Sequence, residues 1–471
     1  MRIKCKSAKS INHLALAASI LLISLSSFAQ SDSGYISITK ITINGNFKTL
    51  DRIILIASGL TLTTPIQKEL FKSKLDEAKN NIQNTDLFNS VVISNVPLND
   101  SFTELIITVA ERWYLWPLPI LENADPNFNT WWENKDFSRI NYGIVLMKQN
   151  FRGRGEELGG LIQLGYSKRF ALLYDVPYAS PKGKSGIKVY AGYDQQNQIT
   201  IGTVNNKRIF HTGAGGNTRE QWQVKLGFLQ RHKVVTTHTL WGAYKNYKVK
   251  QEVITANPEY LIDSAKQIGF FELSYLFKHD KRDYKHYPLK GYYLDARATQ
   301  SGIGITKDVA LSTLEVTAKK FLHIKGRFYA AFGGFAIGTL QKDIPYVLQK
   351  GLGYDHYVRG YEYYILDGNH YGVLKANIKY ELIKKKTHLI PFIKNSKFNK
   401  FYYATYLNIF SDFGYVQNNF SGSSNSLSNQ WLSSFGLGLD FLTYYDTVIR
   451  VEFSVNKQRE SGFFLHFTQP I

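Results

Sequence analysis

The chain has 471 residues and a formal net charge of +20, and it contains 31 Tyr, 30 Phe, 36 Gly and one Cys. So many aromatic residues and glycines are typical of strands and tight turns, and they argue against a mainly helical protein. The single cysteine, Cys5, excludes a disulfide framework, and no apolar run after residue 30 is long enough for a transmembrane helix.

Residues 1–29 have the pattern of a secretory signal peptide. Four basic residues come first, and they are Arg2, Lys4, Lys6 and Lys9. The apolar segment Leu14–Leu25 is too short to span a bilayer, and small residues precede a cleavage site after Ala29. A retained anchor helix is the alternative. Export argues against nucleic acid as the partner of this basic chain, whereas lipid head groups or a polar lumen fit its charge.

Residues 35–111 predict one small α+β domain with the element order β-α-α-β-β. Alternating strands open and close it, with YISITKITINGN at the start and SVVISNVP and FTELIITVAE at the end. Between them lie two helical patterns, with Pro65 in the first turn of the second. Their apolar faces are Leu50, Ile53, Ile54 and Ala57, then Ile66, Leu70, Leu75, Ala78 and Ile82. An aromatic-rich bridge, residues 112–138, follows, and its tryptophans suit a membrane interface.

From residue 139 to residue 471, alternating segments predict a sixteen-stranded antiparallel transmembrane β-barrel. One face of each segment suits lipid and the other a wet interior. The segments are 139–149, 156–167, 170–178, 186–194, 197–207, 219–231, 234–247, 267–280, 290–303, 308–322, 325–339, 370–384, 399–416, 431–443, 446–456 and 461–468. Long connections follow odd-numbered strands, as expected of external loops. Two soluble β-sandwiches are the alternative.

Several motifs make the chain similar to one family of proteins. ITINGN at residues 41–46 and TDLFNSVVI at residues 85–93 resemble parts of a polypeptide-transport-associated (POTRA) domain. HDKRDYKHYPLKGYYL at 279–294, VRGY at 358–361 and FSDFGYV at 410–416 follow in the expected order. The chain thus resembles the BamA-type superfamily of outer-membrane barrels, also called the bacterial surface antigen or two-partner transporter family. It departs from that pattern in having only one POTRA domain.

The resemblance implies that the loop 340–369 folds into the barrel and carries a lock made of Val358, Arg359, Gly360 and Tyr361. A buried arginine needs an acceptor. Strand parity turns Asp412 and Asp440 inward, and the resemblance favours Asp412 as the partner of Arg359, with Asp440 either supporting that pair indirectly or serving as the alternative acceptor. A solvated Arg359 is the alternative.

The second motif predicts a shaped hairpin, with Asp280, Arg282 and Asp283 paired across the turn and Pro288 and Gly291 setting its geometry. A metal site at His279, Asp280, Asp283 and His286 is disfavoured because Lys281 and Lys285 are close by. The run Lys384–Lys386, at a predicted turn, suits either solvent or lipid phosphates.

The sequence contains no G-x-S-x-G, H-E-x-x-H or glycine-rich phosphate loop, so neither an enzyme nor a cofactor is expected. The resemblance implies an outer-membrane assembly factor that receives unfolded polypeptide at a periplasmic POTRA domain and templates insertion at the barrel seam. Two alternatives stay open: a secretion pore for a polypeptide, and an accessory barrel of a larger complex. The expected partners are unfolded outer-membrane or secreted polypeptides, outer-membrane lipids and accessory subunits.

Overall fold

The computed structural model describes residues 34–123, 140–213, 215–304, 309–394, 397–419 and 424–467. The predicted signal peptide and the second half of the bridge lie outside the described residues. None of the helices among these residues has the length and apolarity needed to cross a membrane.

The N-terminal elements follow the predicted order, with one short strand added. They are β1 (Tyr35–Asn44), α1 (Asp51–Ser58), β2 (Pro65–Gln67), α2 (Lys68–Gln83), β3 (Phe88–Pro97) and β4 (Phe102–Glu111). The four strands form one sheet in the order β2-β1-β4-β3. α1 buries Ile53, Ile54 and Ala57, and it ends at Gly59, which takes a left-handed φ of 67°.

The predicted start of the second helix is wrong. Pro65 and Ile66 belong to β2, where Ile66 pairs with Ile36 of β1. Within α2, Ala78 and Ile82 are buried as predicted, but in the first turn Phe71 is buried whereas Leu70 is half exposed. Residues 65–67 pair with β1 before the helix begins. Helical periodicity in the sequence does not reveal this strand pairing.

The chain divides into two compact units. The first comprises residues up to 42 with 61–76 and 94–106, and the second comprises residues 43–60, 77–93 and 107–471. Part of the small domain therefore belongs to the same unit as the large sheet.

The remaining strands form one large sheet and two small pairs. They are β5 (Leu115–Asn123), β6 (Ile140–Phe151), β7 (Glu156–Gly165), β8 (Lys168–Val176), β9 (Ser185–Gln196), β10 (Gln198–Val204), β11 (Lys207–Thr212), β12 (Arg219–Lys233), β13 (Thr236–Val249), β14 (Gln267–Asp280), β15 (Gly291–Ser301), β16 (Leu311–Lys325), β17 (Phe328–Thr339), β18 (Lys350–Leu352), β19 (Leu366–Gly368), β20 (His370–Leu389), β21 (Lys400–Gln417), β22 (Leu432–Leu442), β23 (Val448–Asn456) and β24 (Ser461–Phe467). Sixteen of them pair in sequence from β5 to β24, while β10–β11 and β18–β19 pair separately. This confirms the predicted sixteen-stranded antiparallel sheet.

The structure adds one strand to the large sheet that was not predicted and removes one that was. The sheet begins in the predicted bridge, where β5 pairs with β6 from Leu115↔Lys148 to Asn123↔Ile140. Pro117 and Pro119 hide this strand in the sequence, because proline is tolerated only at a sheet edge. The predicted segment 197–207 instead forms the hairpin β10–β11, which turns at Asn205 and Asn206 with positive φ angles.

The buried face of the large sheet is polar, and its exposed face is apolar. On β23, Arg450, Glu452 and Ser454 are at most 3% exposed, whereas Val451 and Phe453 are 41% and 37% exposed. This is the inverse of a soluble core, and it is the arrangement of a lipid-facing barrel with a polar interior.

The long connections after β9, β13, β17 and β21 meet one another. Asn206, at the β10–β11 turn, accepts a hydrogen bond from the Ile365 N–H at 2.9 Å and donates its own N–H to Asn425 Oδ1 at 2.7 Å. Beside this turn, α3 (Gln251–Ala256) buries Val253 and Ile254 in an apolar cluster with Ile199 and Ile344. The connections therefore form an interlocked cover over one end of the sheet.

Candidate functional site

The Val358–Tyr361 segment lies in the connection between β17 and β20 and is buried. Val358, Arg359 and Tyr361 are each at most 2% exposed. Val358 and Tyr361 pack in an apolar cluster with residues of the short pair β18–β19 and of the strands β20, β21 and β22. Gly360 takes a φ of +84°, and a Cβ built there would lie 3.2 Å from Ser454 Oγ, so a side chain would be strained and crowded.

Arg359 binds Asp412 in a bidentate pair through one edge of its guanidinium group. Nε donates to Asp412 Oδ2 at 2.8 Å and Nη2 to Oδ1 at 2.5 Å, and the Arg359 backbone N–H also donates to Oδ2 at 3.1 Å. The guanidinium lies 3.8 Å from the centre of the Phe410 ring. Nη2 also donates to Asn377 Oδ1 on β20 at 2.8 Å, and Nη1 donates to Glu452 Oε1 on β23 at 3.2 Å. A planar donor group thus joins one loop to three strands.

Asp440 faces inward but does not accept from Arg359, so it is not the alternative acceptor, and it is connected to Arg359 only indirectly, through Arg450 and Glu452. Its carboxylate accepts from Arg450, with Nε at 2.5 Å and Nη2 at 2.8 Å, and from the Tyr287 hydroxyl at 2.8 Å. Glu452 is a second carboxylate that contacts Arg359, and its Oε1 lies within 3.4 Å of both Arg359 and Arg450. The two arginines and their carboxylates therefore form one buried network.

The predicted hairpin residues lie in the connection between β14 and β15. Arg282 binds Asp280 in a bidentate pair at 2.8 and 2.7 Å, and Asp283 accepts the Leu289 N–H at 3.1 Å. Burial raises the pKa of the Asp283 carboxyl to about 6, although the backbone donors oppose this. Pro288 is buried in the same turn. Asp283 thus bonds to backbone groups, and only Asp280 pairs with Arg282.

Gly291 closes this hairpin. Its φ is +98°, and a Cβ there would lie 2.0 Å from the Lys281 carbonyl oxygen. Any other residue would therefore force the β14–β15 turn apart.

The same hairpin contacts the end of the small domain. Asn84 donates its side-chain amide to the Arg282 carbonyl at 3.1 Å, and His286 Nε2 lies 2.7 Å from Asp86 Oδ1. Burial raises the pKa of Asp86, but the hydrogen bond with His286 and the charge of Lys285 outweigh this and lower it to about 2. The small domain is thereby ionically bound to the turn that also supplies Tyr287.

The connection between β22 and β23 joins this contact. Asp446 forms a salt bridge with Arg112 and accepts hydrogen bonds from the hydroxyls of Tyr284 and Tyr402. Arg112 also donates from Nε to the Phe88 carbonyl at 3.0 Å. A continuous set of contacts thus runs from the small domain through the β14–β15 hairpin to Asp440, Arg450 and the Arg359 network.

On its other side, the Val358–Tyr361 loop binds the end of β23 and the turn that follows it. The Gly360 carbonyl accepts from Asn456 Nδ2 at 2.9 Å, and the hydroxyls of Tyr361 and Tyr364 donate to Gln458 and Glu460 at 2.5 and 2.6 Å. His466 of β24 lies 3.4 Å from Glu452. The connection that carries the loop also contacts β24, the last strand of the sheet, because the Tyr357 hydroxyl lies 3.4 Å from His466 Nδ1.

The residues of the disfavoured metal site are not brought together as a ligand set. His279 bonds to Thr236 and Tyr292, and Asp280 is occupied by Arg282. Two other groups have ligand-like spacing, and they are Asp86 with His286 and Asp446, and Glu362 with Glu452 and His466. Arginine or lysine side chains already contact carboxylates of both groups, so neither fits a cation well.

Sequence reasoning missed Glu452, Arg450 and Asn377 as partners of the arginine lock. For β23 the signal was present, because Arg450 and Glu452 alternate with apolar residues and therefore share the inward face. No local pattern in the sequence marks Asp86 or Arg112 as a contact residue. Their partners, His286 and Asp446, lie about 200 residues or more away in the chain.

Comparison with known proteins gives one family match and several structural likenesses. The Omp85 superfamily domain matches residues 150–468. No curated protein matches the chain. The structure is similar to a BamA from Haemophilus ducreyi that lacks POTRA domains 1-3, with a TM-score of 0.50 and 15% identity over 91% of this chain and 83% of that one. At this identity the likeness shows the fold alone.

Two further structures are similar, and both are named CdiB. The protein from Acinetobacter baumannii gives a TM-score of 0.47 and 11% identity over 98% of this chain and 82% of that chain. The protein from Escherichia coli gives a TM-score of 0.49 and 11% identity over 98% of each chain.

Proposed function

Because the chain belongs to the Omp85 superfamily, a family of outer-membrane β-barrel proteins with a role in polypeptide transport, we propose that it is an outer-membrane protein assembly factor. It receives unfolded polypeptide at its small N-terminal domain, a single periplasmic POTRA domain, and templates insertion at the seam of its barrel. The arginine lock holds the inward loop against the strands next to that seam.

The observation that carries this proposal is the state of the two sheet edges. Among the described residues no ladder joins β5, the first strand, to β24, the last. β24 has only seven residues, and Pro117 and Pro119 remove two backbone donors from β5. An unpaired edge is a template for another strand, so a nascent barrel strand has somewhere to add.

The small domain offers a second edge. β3 is the outermost strand of its four-stranded sheet, and Val92 and Val96 on it are 53% and 43% exposed. The opposite edge is β2, which has three residues and is too short to guide an extended client. Strand addition along β3 supplies main-chain affinity without demanding one client sequence, as a general assembly factor requires.

A secretion pore is the second candidate, and the inward loop favours it as a gate. To open a passage, the buried Arg359 network would have to break, and so would the interlocked connections around Asn206. An edge-templating mechanism needs neither change, which is why assembly is preferred.

Site-specific photo-crosslinking tests the proposal. A crosslinker replaces Leu465 on β24, which is 58% exposed, and the matched control replaces Leu314 on β16, which is 55% exposed but lies between paired strands. During synthesis of a barrel client, crosslinks to position 465 but not to position 314 are expected. Equal crosslinking of the client at both positions would reject insertion at the edge. Crosslinks to the client only from positions whose side chains face the barrel interior would reject it as well.

A further inference from the structure

A hairpin of the large sheet extends beyond its neighbouring strand. β17 pairs with β20 only as far as Phe328↔Tyr380, and the Glu381 N–H makes a last bond to the Arg327 carbonyl at 2.9 Å. β20 continues to Leu389, paired on its other side with β21 as far as Lys400. Residues 382–389 therefore project by about 25 Å at 3.3 Å per residue. We call residues 382–394 and 397–403 the basic hairpin.

One edge of the basic hairpin is covered and the other is free. On the β21 side, the Tyr445 hydroxyl and Asn89 Nδ2 donate to the Lys397 carbonyl at 3.2 and 3.4 Å, and Trp113 packs on Phe398 with ring centres 5.5 Å apart. On the β20 side, residues 382–389 are all exposed, and no described strand pairs with them beyond Glu381. The hairpin thus presents a row of unpaired backbone groups.

This free edge is positively charged. Lys385 packs over the Tyr402 ring at 3.9 Å, whereas Lys384 and Lys386 are exposed, and no described carboxylate lies within ion-pair distance of either. The β20–β21 register shifts on both sides of Ile383. Such irregularities, like edge lysines, discourage the free edge from pairing with unrelated strands. A second copy of the same edge is disfavoured, because lysines would face lysines.

Apolar surface lies next to the lysines. Leu389 is 66% exposed and Phe392, in the turn, is 84% exposed. Exposed apolar surface bordered by charge is typical of an interaction site. A lipid surface satisfies the lysines and the apolar side chains, but it leaves the row of backbone groups without partners.

We propose that the basic hairpin binds an extended polypeptide segment that adds as a strand to the free edge of β20. The segment carries carboxylates opposite Lys384 and Lys386 and apolar residues against Leu389 and Phe392. This inference rests on the proposed function in taking the bound partner to be a polypeptide, and it assigns a docking surface separate from the seam and from β3.

Peptide binding to the full-length protein in neutral phosphatidylcholine nanodiscs tests this inference. The probe is a fluorescein-labelled peptide of about ten alternating glutamate and valine residues, a common strand length. Its matched controls are a lysine–valine peptide and a backbone N-methylated glutamate–valine peptide. Only the unmethylated acidic peptide is expected to bind, and a photo-crosslinker at Thr387 is expected to capture it.

Charge reversal tests the role of the lysines. Lys384→Glu/Lys386→Glu is expected to weaken acidic-peptide binding about tenfold, since reversing two exposed ion pairs changes the free energy by roughly 1–2 kcal/mol. Lys182→Glu/Lys184→Glu, a pair of exposed lysines in the β8–β9 turn, is the matched control and leaves binding unchanged. Heat-modifiable migration in gels confirms that each variant is folded.

Four outcomes would overturn the inference: equal binding by the N-methylated peptide, no effect of Lys384→Glu/Lys386→Glu, no crosslink at Thr387, or loss of peptide binding when anionic phosphatidylglycerol is added to the disc. The last would assign the lysines to lipid head groups. If the peptide does not bind but the protein still assembles barrels in cells, only the docking surface is refuted. If the peptide binds but the protein has no role in barrel assembly, only the proposed function is refuted.

Discussion

Substitution of Arg359 by alanine removes the side chain that holds the inward loop. The change deletes two bonds to Asp412, one each to Asn377 and Glu452, and the contact with the Phe410 ring. Breaking a buried pair by removing one partner costs about 3–5 kcal/mol, mostly because a buried charge is left without its counterion.

The structure places the cost of Arg359→Ala at the lower end of that range. Asp412 keeps the backbone N–H of residue 359 at 3.1 Å and has Lys375 Nζ at 3.8 Å, and Glu452 keeps Arg450. We expect a loss of about 3 kcal/mol, which lowers the equilibrium constant for the docked loop about a hundredfold. The strand ladders do not depend on Arg359, so the loss appears as loop opening rather than unfolding of the barrel.

Hydrogen–deuterium exchange measures this opening directly. The segment 350–368 is expected to exchange about a hundredfold faster in Arg359→Ala, with the barrel strands unchanged. Arg359→Lys restores little protection, because an ammonium group lacks the planar pair of donors. Arg169→Ala, which removes an exposed pair with Asp194 at 3.4 Å, is the control. Exchange of 350–368 that matches the unsubstituted protein would refute the lock.

Three further predictions concern the contacts beneath the lock. Tyr287→Phe removes the buried hydroxyl bond to Asp440 and lowers the stability by about 1 kcal/mol, which thermal unfolding in detergent detects as a lower Tm with an unchanged fold. Gly291→Ala destabilises by roughly 1–3 kcal/mol because of its positive φ and the crowded Cβ, whereas Gly242→Ala, with open space at its Cβ, does not; equal Tm values for the two variants contradict the turn geometry. The pKa of Asp86 is lowered to about 2 in the folded protein, so the stability that Asp86 contributes is present above pH 4 and is lost as the pH falls from about 4 to about 2. Asp86→Asn should therefore be less stable at pH 5 but lose less stability on acidification, and parallel pH profiles for the two proteins would disprove the ionic contact.

The alternation of apolar and polar residues was sufficient to predict the large sheet. Strands such as β23, with Arg450, Glu452 and Ser454 on one face, carry their orientation in the sequence, because one face meets lipid and the other a polar interior. The same parity turned Asp412 and Asp440 inward, and the structure buries both completely.

The errors occur where local pattern and tertiary pairing disagree. β10 alternates like a barrel strand, yet its Ile199 packs against other connections of the cover, and the Asn205–Asn206 turn sends the chain back before it can join the sheet. β5 was missed because two prolines interrupt it, although an edge strand tolerates them. Arg359 contacts Glu452 rather than Asp440 because Arg450 occupies Asp440. Strand parity shows which side chains point inward, but it does not show how they pair.

Depletion of the protein from its native cell, followed by quantification of the outer-membrane proteome, tests the central claim most directly. An assembly factor predicts that many unrelated β-barrel proteins decline together while their precursors accumulate outside the membrane. Loss of one secreted polypeptide with all barrels retained, or no change in any barrel, would contradict it.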